Sequence, residues 1–426
     1  MPESDIHGAI EAVWAIESAR LIAGLARPMH GDIGLAEDLA QDALVAALEQ
    51  WPASGVPNNP GAWLMGTAKH RAVDRLRRNQ LHDRKIEELG YALGPNAGTE
   101  LPDFDAGLDD NIGDDLLRLV FTACHPSLST EARVALTLRL LGGLTTEQIA
   151  RAFLVPESTI AQRVVRAKRS LSQAHVPFEV PAGAELIERL SSVLEVIYLI
   201  FNEGYSATAG NDWMRPSLCE DALRLGRILA ELVPGEPEVH GLVALMEIQA
   251  SRMRARIDRF GTPILLLEQN RARWDQLLIR RGLAALTRAE VLGGESGSYV
   301  LQASIAACHA RARTAEETDW RRIAALYAKL AQLTNSPIVE LNRAVAVAMA
   351  FGPGRGLEIV DALQAGGHLD RYHLLPTVRA DLLVKLGRFD EALPEFERAV
   401  ALAQNARERE LLLERARICR GAARPD

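Results

Sequence analysis

Two stretches of the chain concentrate side chains suited to holding a polyanion. They are residues 58–78, NNPGAWLMGTAKHRAVDRLRR, and residues 144–171, LTTEQIARAFLVPESTIAQRVVRAKRSL. In the second, Thr145 or Thr146 can cap a short helix whose inward residues are Ile149, Ala150 and Phe153. A tight turn at Leu154, Val155 and Pro156 follows, and Glu157 or Ser158 starts a second helix. Spacing turns Ile160, Val164 and Val165 inward and leaves Ser158, Thr159, Gln162, Arg163, Arg166 and Arg169 outward. That is the plan of a helix-turn-helix DNA reader. Ser158, Thr159 and Gln162, near the start of the second helix, suit base edges, while Arg163, Arg166, Lys168 and Arg169 suit phosphates. A plain helical hairpin with a solvated basic face uses the same pattern. Leu154 is a departure, because this turn position favours glycine for its positive φ.

The elements that must position these residues all read as helices. Residues 5–30 and 34–51 have helical periodicity and are separated by the turn HGDIG. After the loop WPASGVPNNP, Asn59 stands as an N-cap and Pro60 at the first helical position. Leu64, Ala68, Ala72 and Leu76 then line the buried face of one helix, with Arg71, Arg75 and Arg78 on the other side. In AEDLAQDALVAALEQW, Asp38, Asp42, Val45 and Glu49 form an acidic stripe with an apolar centre, suited to a basic partner or simply to solvent. Residues 91–112 lose the apolar period and read as a linker, and 100–115 is strongly acidic. Beyond Pro177 and Pro181 the chain is helix after helix to its end.

Bulk composition agrees with an all-α protein of several domains: 426 residues, 48% hydrophobic but only 5% aromatic. The formal net charge of -8 excludes a wholesale nucleic-acid coat, although the basic clusters are local. The four cysteines, Cys124, Cys219, Cys308 and Cys419, form no CxxC, which points to a reducing cytoplasm. Cys124-His125 and Cys308-His309 lack ligand spacing, so neither metal nor cofactor is expected. No membrane segment or export signal is apparent.

Together, the basic helix, linker and hairpin resemble a sigma-70-type initiation factor of the extracytoplasmic-function (ECF) class. The resemblance covers the first 175 residues or so. HGDIGLAEDLAQDALVAALEQW resembles the part of region 2 that grips polymerase, which implies Glu37, Asp38, Gln41, Asp42, Val45 and Glu49 as contacts to core RNA polymerase. NNPGAWLMGTAKHRAVDRLRR resembles the part that melts and holds the promoter −10 element. It implies Asn58, Asn59, Trp63, Lys69, Arg71, Arg75 and Arg78 as DNA contacts, with Trp63 either a base platform or a core anchor. Residues 113–172 resemble region 4, so Ser158, Thr159, Gln162, Arg163, Arg166, Lys168 and Arg169 are expected at the −35 element. No covalent chemistry is expected. The acidic linker resembles the segment that threads toward the polymerase active centre.

The tail has its own likeness. In PTVRADLLVKLGRFDEALPEFERAVALA, Ala380, Leu383, Gly387, Phe389, Ala392, Phe396 and Ala399 fall where a tetratricopeptide unit places its packing residues. VELNRAVAVAMAFGPGRGLEIVDAL resembles a degenerate copy with a longer turn. The whole chain resembles the sigma subgroup with a helical, repeat-like C-terminal extension, signalled by FNEGYSATAG and RFGTPILLLEQNRARWD. An Asp at Asn270 and an Asp-Gly near Phe260-Gly261 would fit that subgroup better. Glu203, Tyr205, Asp258, Glu268, Arg271, Arg273, Trp274 and Asp275 leave two readings open. One is a pocket for a small molecule or peptide; the other gives Arg271, Arg273 and Asp275 ion-pair, capping and turn roles and puts Trp274 in the core. The expected organisation is region 2 at 1–90, linker at 91–112, region 4 at 113–176 and a regulatory repeat domain at 177–426, with a regulatory protein or peptide as its partner. Two rivals remain: a one-component helix-turn-helix regulator with a sensing repeat domain, which leaves residues 34–78 unexplained, and an enzyme housed in the tail.

Overall fold

The computed structural model describes residues 3–29, 31–88, 112–153, 155–207, 213–259 and 262–422. Among them are eighteen α-helices, three short 3-10 helices and no strand beyond an isolated bridge between Ile257 and Pro263. The chain divides into two compact units, Met1–Val196 and Ile197–Asp426.

The first unit begins with α1 (Glu3–Ala26), α2 (Ile33–Ser54) and α3 (Pro60–Glu88). Asp32 caps α2 by accepting from the Leu35 amide at 2.9 Å, and Asn59 caps α3 by accepting from the Ala62 amide at 3.1 Å. α2 buries an alanine-rich face, Ala36, Ala40, Ala43, Ala46 and Ala47, against which α1 and α3 approach closely. Leu64, Ala68 and Ala72 are the buried row of α3, as the spacing requires; the side chain of Leu76 lies outside the described residues. Buried Trp51 meets Trp63 edge-on, with ring centroids 5.3 Å apart.

Most of the linker, residues 91–111, lies outside the described residues. Its acidic tract does not run on as a linker to 115, because α4 (Ile112–Ala123) has begun. Asp115 is buried there, 2.5 Å from Arg118 and 3.8 Å from Arg27 of the segment after α1. α5 (Thr130–Leu140), α6 (Thr146–Phe153) and α7 (Glu157–Gln173) follow. Thr145 Oγ1 accepts from the Gln148 amide at 3.1 Å and Gln148 Oε1 accepts from the Thr145 amide at 2.8 Å, a reciprocal capping box that starts α6. Ile149 and Ala150 pack against the buried row Ile160, Val164, Ala167 and Leu171 of α7. Val165, expected inward, is 64% exposed: one residue past Val164 is about 100° around the helix, and Ala167 takes the inward position instead. Leu154 lies outside the described residues.

α8 (Gly183–Tyr205) carries the division between the units. The first unit extends past the boundary expected near 176 because the first half of α8 packs back on α4 and α5. Arg189 Nη2 donates to the Phe121 carbonyl at 3.0 Å, Ser192 Oγ to the Cys124 carbonyl at 2.7 Å, and Arg133 pairs with Glu195 at 3.1 Å.

The second unit continues with α9 (Pro216–Leu232), α10 (Pro237–Ala250), α11 (Gln276–Val291), α12 (Ser298–Arg311) and α13 (Trp320–Thr334). α10 is buried on nearly every side, between α9, α11 and α12. A Cβ at Gly241 would sit 2.8 Å from the Val300 amide nitrogen, so only glycine admits that approach. Then α14 (Pro337–Phe351), α15 (Pro353–Ala365), α16 (Leu374–Lys385), α17 (Phe389–Leu402) and α18 (Ala406–Ala422) stack, each on the next. Ala380, Leu383, Ala392, Phe396 and Ala399 form the shared core of α16 and α17, and Gly387 turns between them with φ +74. The turn between α14 and α15, expected to be longer, is the single residue Gly352 at φ +103, with Pro353 opening α15.

Candidate promoter and polymerase interface

α2 holds the acidic stripe rigidly. Asp38 and Glu49 are exposed, Val45 is 47% exposed, and Gln41 and Asp42 are half-buried beside them. Glu37 stands apart. It is 3% exposed, and its Oε1 accepts from Gln41 Nε2 at 2.7 Å and from Arg139 Nε at 2.6 Å, while Oε2 pairs with Lys168 Nζ. Its carboxylate therefore joins α2 to α5 and α7.

On α7, Ser158, Gln162, Arg166 and Arg169 are exposed, and Thr159 and Arg163 are half-buried. Lys168 differs from its basic neighbours, since its side chain is 20% exposed and engaged by Glu37. The start of α2 and the last turns of α7 border an open cleft of ≈ 530 Å³, lined among others by Asp32, Gly34, Lys168, Arg169 and His175.

On α3, Arg75 is exposed, Lys69 and Arg71 are half-buried, and the Arg78 side chain lies outside the described residues. Arg71 Nη1 is 3.6 Å from Asp42 Oδ1, so the basic face of α3 touches the acidic stripe of α2. Asn58 and Asn59 are exposed at the start of α3, although Asn59 also caps it. Trp63 is half-buried with its edge against Trp51, which makes it partly a core residue. Attraction of phosphate by the exposed arginines and donation to bases by Asn58, Ser158 and Gln162 are within the reach of this geometry.

Burial pushes the Cys124 thiol up to about 11 and the Cys219 thiol up to about 12, so both stay protonated at neutral pH. His125 Nδ1 lies 2.7 Å from Ser127 Oγ. No group of three His, Cys, Asp or Glu side chains among the described residues could hold a metal ion, and no described helix is long and apolar enough to cross a membrane.

In the second unit, Asp275 caps α11, accepting from the Leu277 and Leu278 amides at 2.9 and 3.1 Å, and Trp274 is 3% exposed in a cluster with Ala255 and Ile279. Glu203 pairs with Arg215, and Asp258 Oδ1 accepts from the Thr262 amide at 2.9 Å. Neither Arg271 nor Arg273 makes an ion pair among the described residues. Arg271 instead donates to the His309 and Ala312 carbonyls at 2.7 and 2.8 Å and to Thr318 Oγ1 at 2.9 Å. Phe260-Gly261 lies outside the described residues. Sequence reasoning missed Arg252 and Arg256, which stack on Tyr205; the signal available was the run SRMRAR at 251–256.

Comparison with known proteins assigns these parts. Residues 16–82 match Sigma-70 region 2, residues 118–171 match Sigma-70 region 4, and residues 189–290 match a family of unknown function, DUF6596. The uncharacterized protein R00370 of Rhizobium meliloti is 42% identical over 383 residues, 88% of each chain. The probable ECF RNA polymerase sigma factor SigI of Mycobacterium tuberculosis is 27% identical over 43% of this chain and 61% of its own length. ECF RNA polymerase sigma factor SigK of Mycobacterium bovis is 33% identical over 152 residues, 35% of this chain and 76% of its own. With regions 2 and 4 in order on helices of the required polarity, and a helical extension behind them, the chain belongs to the ECF sigma factors of RNA polymerase.

Proposed function

We propose that this sigma factor directs core RNA polymerase to its promoters through three sets of residues of the first unit, carried by α2, by α3 with the loop before it, and by α7. Glu37, Asp38, Gln41, Asp42, Val45 and Glu49 contact polymerase. Asn58, Asn59, Trp63, Lys69, Arg71, Arg75 and Arg78 open and hold the −10 element. Ser158, Thr159 and Gln162 read the −35 element, and Arg163, Arg166, Lys168 and Arg169 fix its phosphates. The observation that carries this reading is the pairing of an exposed acidic and apolar stripe on α2 with an exposed polar and basic face on α7. The protein acts in the cytoplasm without covalent chemistry of its own, and the second unit regulates it by binding a further partner.

Glu37 of the polymerase set and Lys168 of the DNA set are paired with each other, so engaging polymerase and DNA through them requires that pair to open. Free protein is then a weak promoter binder, consistent with a net charge of -8 that opposes phosphate contact. Run-off transcription with purified core polymerase tests the reading. Start sites that appear only with the full chain, and that shift preference in Gln162→Ala, support it; no core-dependent initiation on any genomic promoter overturns it.

A further inference from the structure

The second unit contains a positive cluster that no carboxylate among the described residues pairs with directly. Arg252 and Arg256 follow α10, and Arg271 lies in the short helix before α11. The three stack on aromatic rings. Arg256 is 3.5 Å from the Tyr205 centroid and 4.4 Å from that of Trp213; Arg252 is 5.7 Å and Arg271 5.0 Å from that of Trp274. No carboxylate forms an ion pair with Arg252, Arg256 or Arg271 among the described residues. Arg256 bonds the Tyr205 carbonyl at the end of α8, and Arg271 bonds carbonyls at the end of α12. Each helix end offers about half a negative charge, and Glu316 and Glu317 act on Arg271 from beyond ion-pair range, so the three positive charges are offset only in part.

Although Arg252 Nη2 donates to the Tyr205 hydroxyl, the same cluster holds buried polar atoms without partners. Arg252 Nε, Arg271 Nε and Trp274 Nε1 have no hydrogen-bond partner, and neither has Nδ1 of His309, a residue only 7% exposed. His309 packs edge-on against Trp320, and its own carbonyl accepts from Arg271. Burial, then the fields of Arg252 and Arg271, hold its imidazole down at about 4, so it is neutral at physiological pH. Leaving several buried polar atoms unsatisfied costs about 1–3 kcal/mol each, and water would satisfy the bonds without supplying charge. A group with several lone pairs and a negative charge does both. Arg252 and Arg271 are half-buried, so the cluster reaches the surface.

We propose that the second unit binds a small oxyanion, a carboxylate or phosphate group, at Arg252, Arg271, Trp274 and His309. The site lies partly in the matched DUF6596 segment and turns the extension into a sensor of an anionic metabolite or acidic peptide end. Guanidinium forks suit both oxyanions, and the experiment separates them.

The full chain is melted in sodium phosphate, sodium succinate or sodium chloride at equal ionic strength. The expected result is a saturable rise of about 5–10 °C at roughly 100 times Kd with phosphate or succinate, and none with chloride beyond ionic strength. Arg252→Gln should weaken that binding at least about tenfold, the loss of one charged hydrogen bond. Because basic helices elsewhere also attract anions, the ring proton signals of His309 are titrated in parallel. A bound anion offsets Arg252 and Arg271 and raises the histidine's midpoint, which binding elsewhere does not. Should Arg252→Gln fail to fold, the His309 titration of the wild-type chain decides alone. Equal shifts in all three salts, a shift retained in Arg252→Gln, or a His309 midpoint unmoved by phosphate and succinate would each overturn the proposal. The measurement uses neither polymerase nor promoter, so its failure leaves the sigma assignment standing.

Discussion

Neutralising Glu37 should loosen the join between the region 2 helices and the region 4 helices. Glu37→Gln keeps the shape of the side chain and removes its charge, leaving Arg139 and Lys168 facing an amide. Removing one partner of a fully buried pair costs about 3–5 kcal/mol. Here the carboxylate side chain is 4% exposed but those of Arg139 and Lys168 are 22% and 20% exposed, so water recovers part of the loss. The expected cost is about 2–3 kcal/mol, or roughly 4–10 °C in melting temperature for a unit of this size.

A double-mutant cycle isolates the pair. Lys168→Met keeps most of the alkyl stem, and Glu37→Gln is measured with and without it by urea unfolding of the full chain. A coupling of about 1–2 kcal/mol is expected, and it should persist in 0.5 M salt at the order of magnitude of a poorly screened buried pair. Additivity within about 0.3 kcal/mol would refute the argument, because contacting charges cannot be independent. A second readout follows from the freed lysine: Glu37→Gln should bind nonspecific duplex DNA more tightly, with a salt slope steeper by about 1.

Three other outcomes are expected. His309 is neutral in the folded chain with a midpoint near 4, below its ordinary 6.5, so the unfolded chain takes up its proton first as pH falls. Stability should therefore drop by about 3 kcal/mol between pH 6.5 and 4 on this group's account, and His309→Gln should flatten that part of a urea-unfolding pH profile. Cys124 and Cys219, both buried with raised midpoints, should resist maleimide at pH 7.5 in the native chain and react on unfolding, as mass spectrometry will record. Gly387 sits at φ +74 with nothing within 4 Å of an added Cβ, so Gly387→Ala should cost about 1 kcal/mol from backbone strain alone, and Gly387→Asn less, by thermal melting.

Local physics made much of the fold legible. Asn59 and Pro60 announce α3, Thr145 and Gln148 close the capping box of α6, and alanine spacing marks the buried rows of α2 and α3. These signals act within one helical turn, so the sequence displays them. The Val165 expectation failed because a β-branched apolar residue is no guarantee of burial. Its neighbours Val164 and Ala167 already filled the seam.

What stayed hidden depends on partners far along the chain. Glu37 reads like its acidic neighbours Asp38 and Asp42, yet its partner Arg139 is 102 positions away, and no spacing rule announces that contact. The cluster in the second unit is hidden in part for the same reason: Tyr205, Arg271 and Trp274 stand out as candidate pocket residues, but their meeting with Arg252 and His309, from other segments, does not show in the sequence. The two cases differ in sign and in consequence. At Glu37 the fold supplies the counter-charges itself, so the site is closed and its opening costs energy. At Arg252 and Arg271 the fold supplies hydroxyls, carbonyl dipoles and the more distant carboxylates of Glu316 and Glu317 but no direct ion pair, so an anion from outside can still be drawn in. A helical extension whose internal electrostatics are completed by a ligand has a stability that rises with ligand concentration, and that dependence is what a regulatory domain needs.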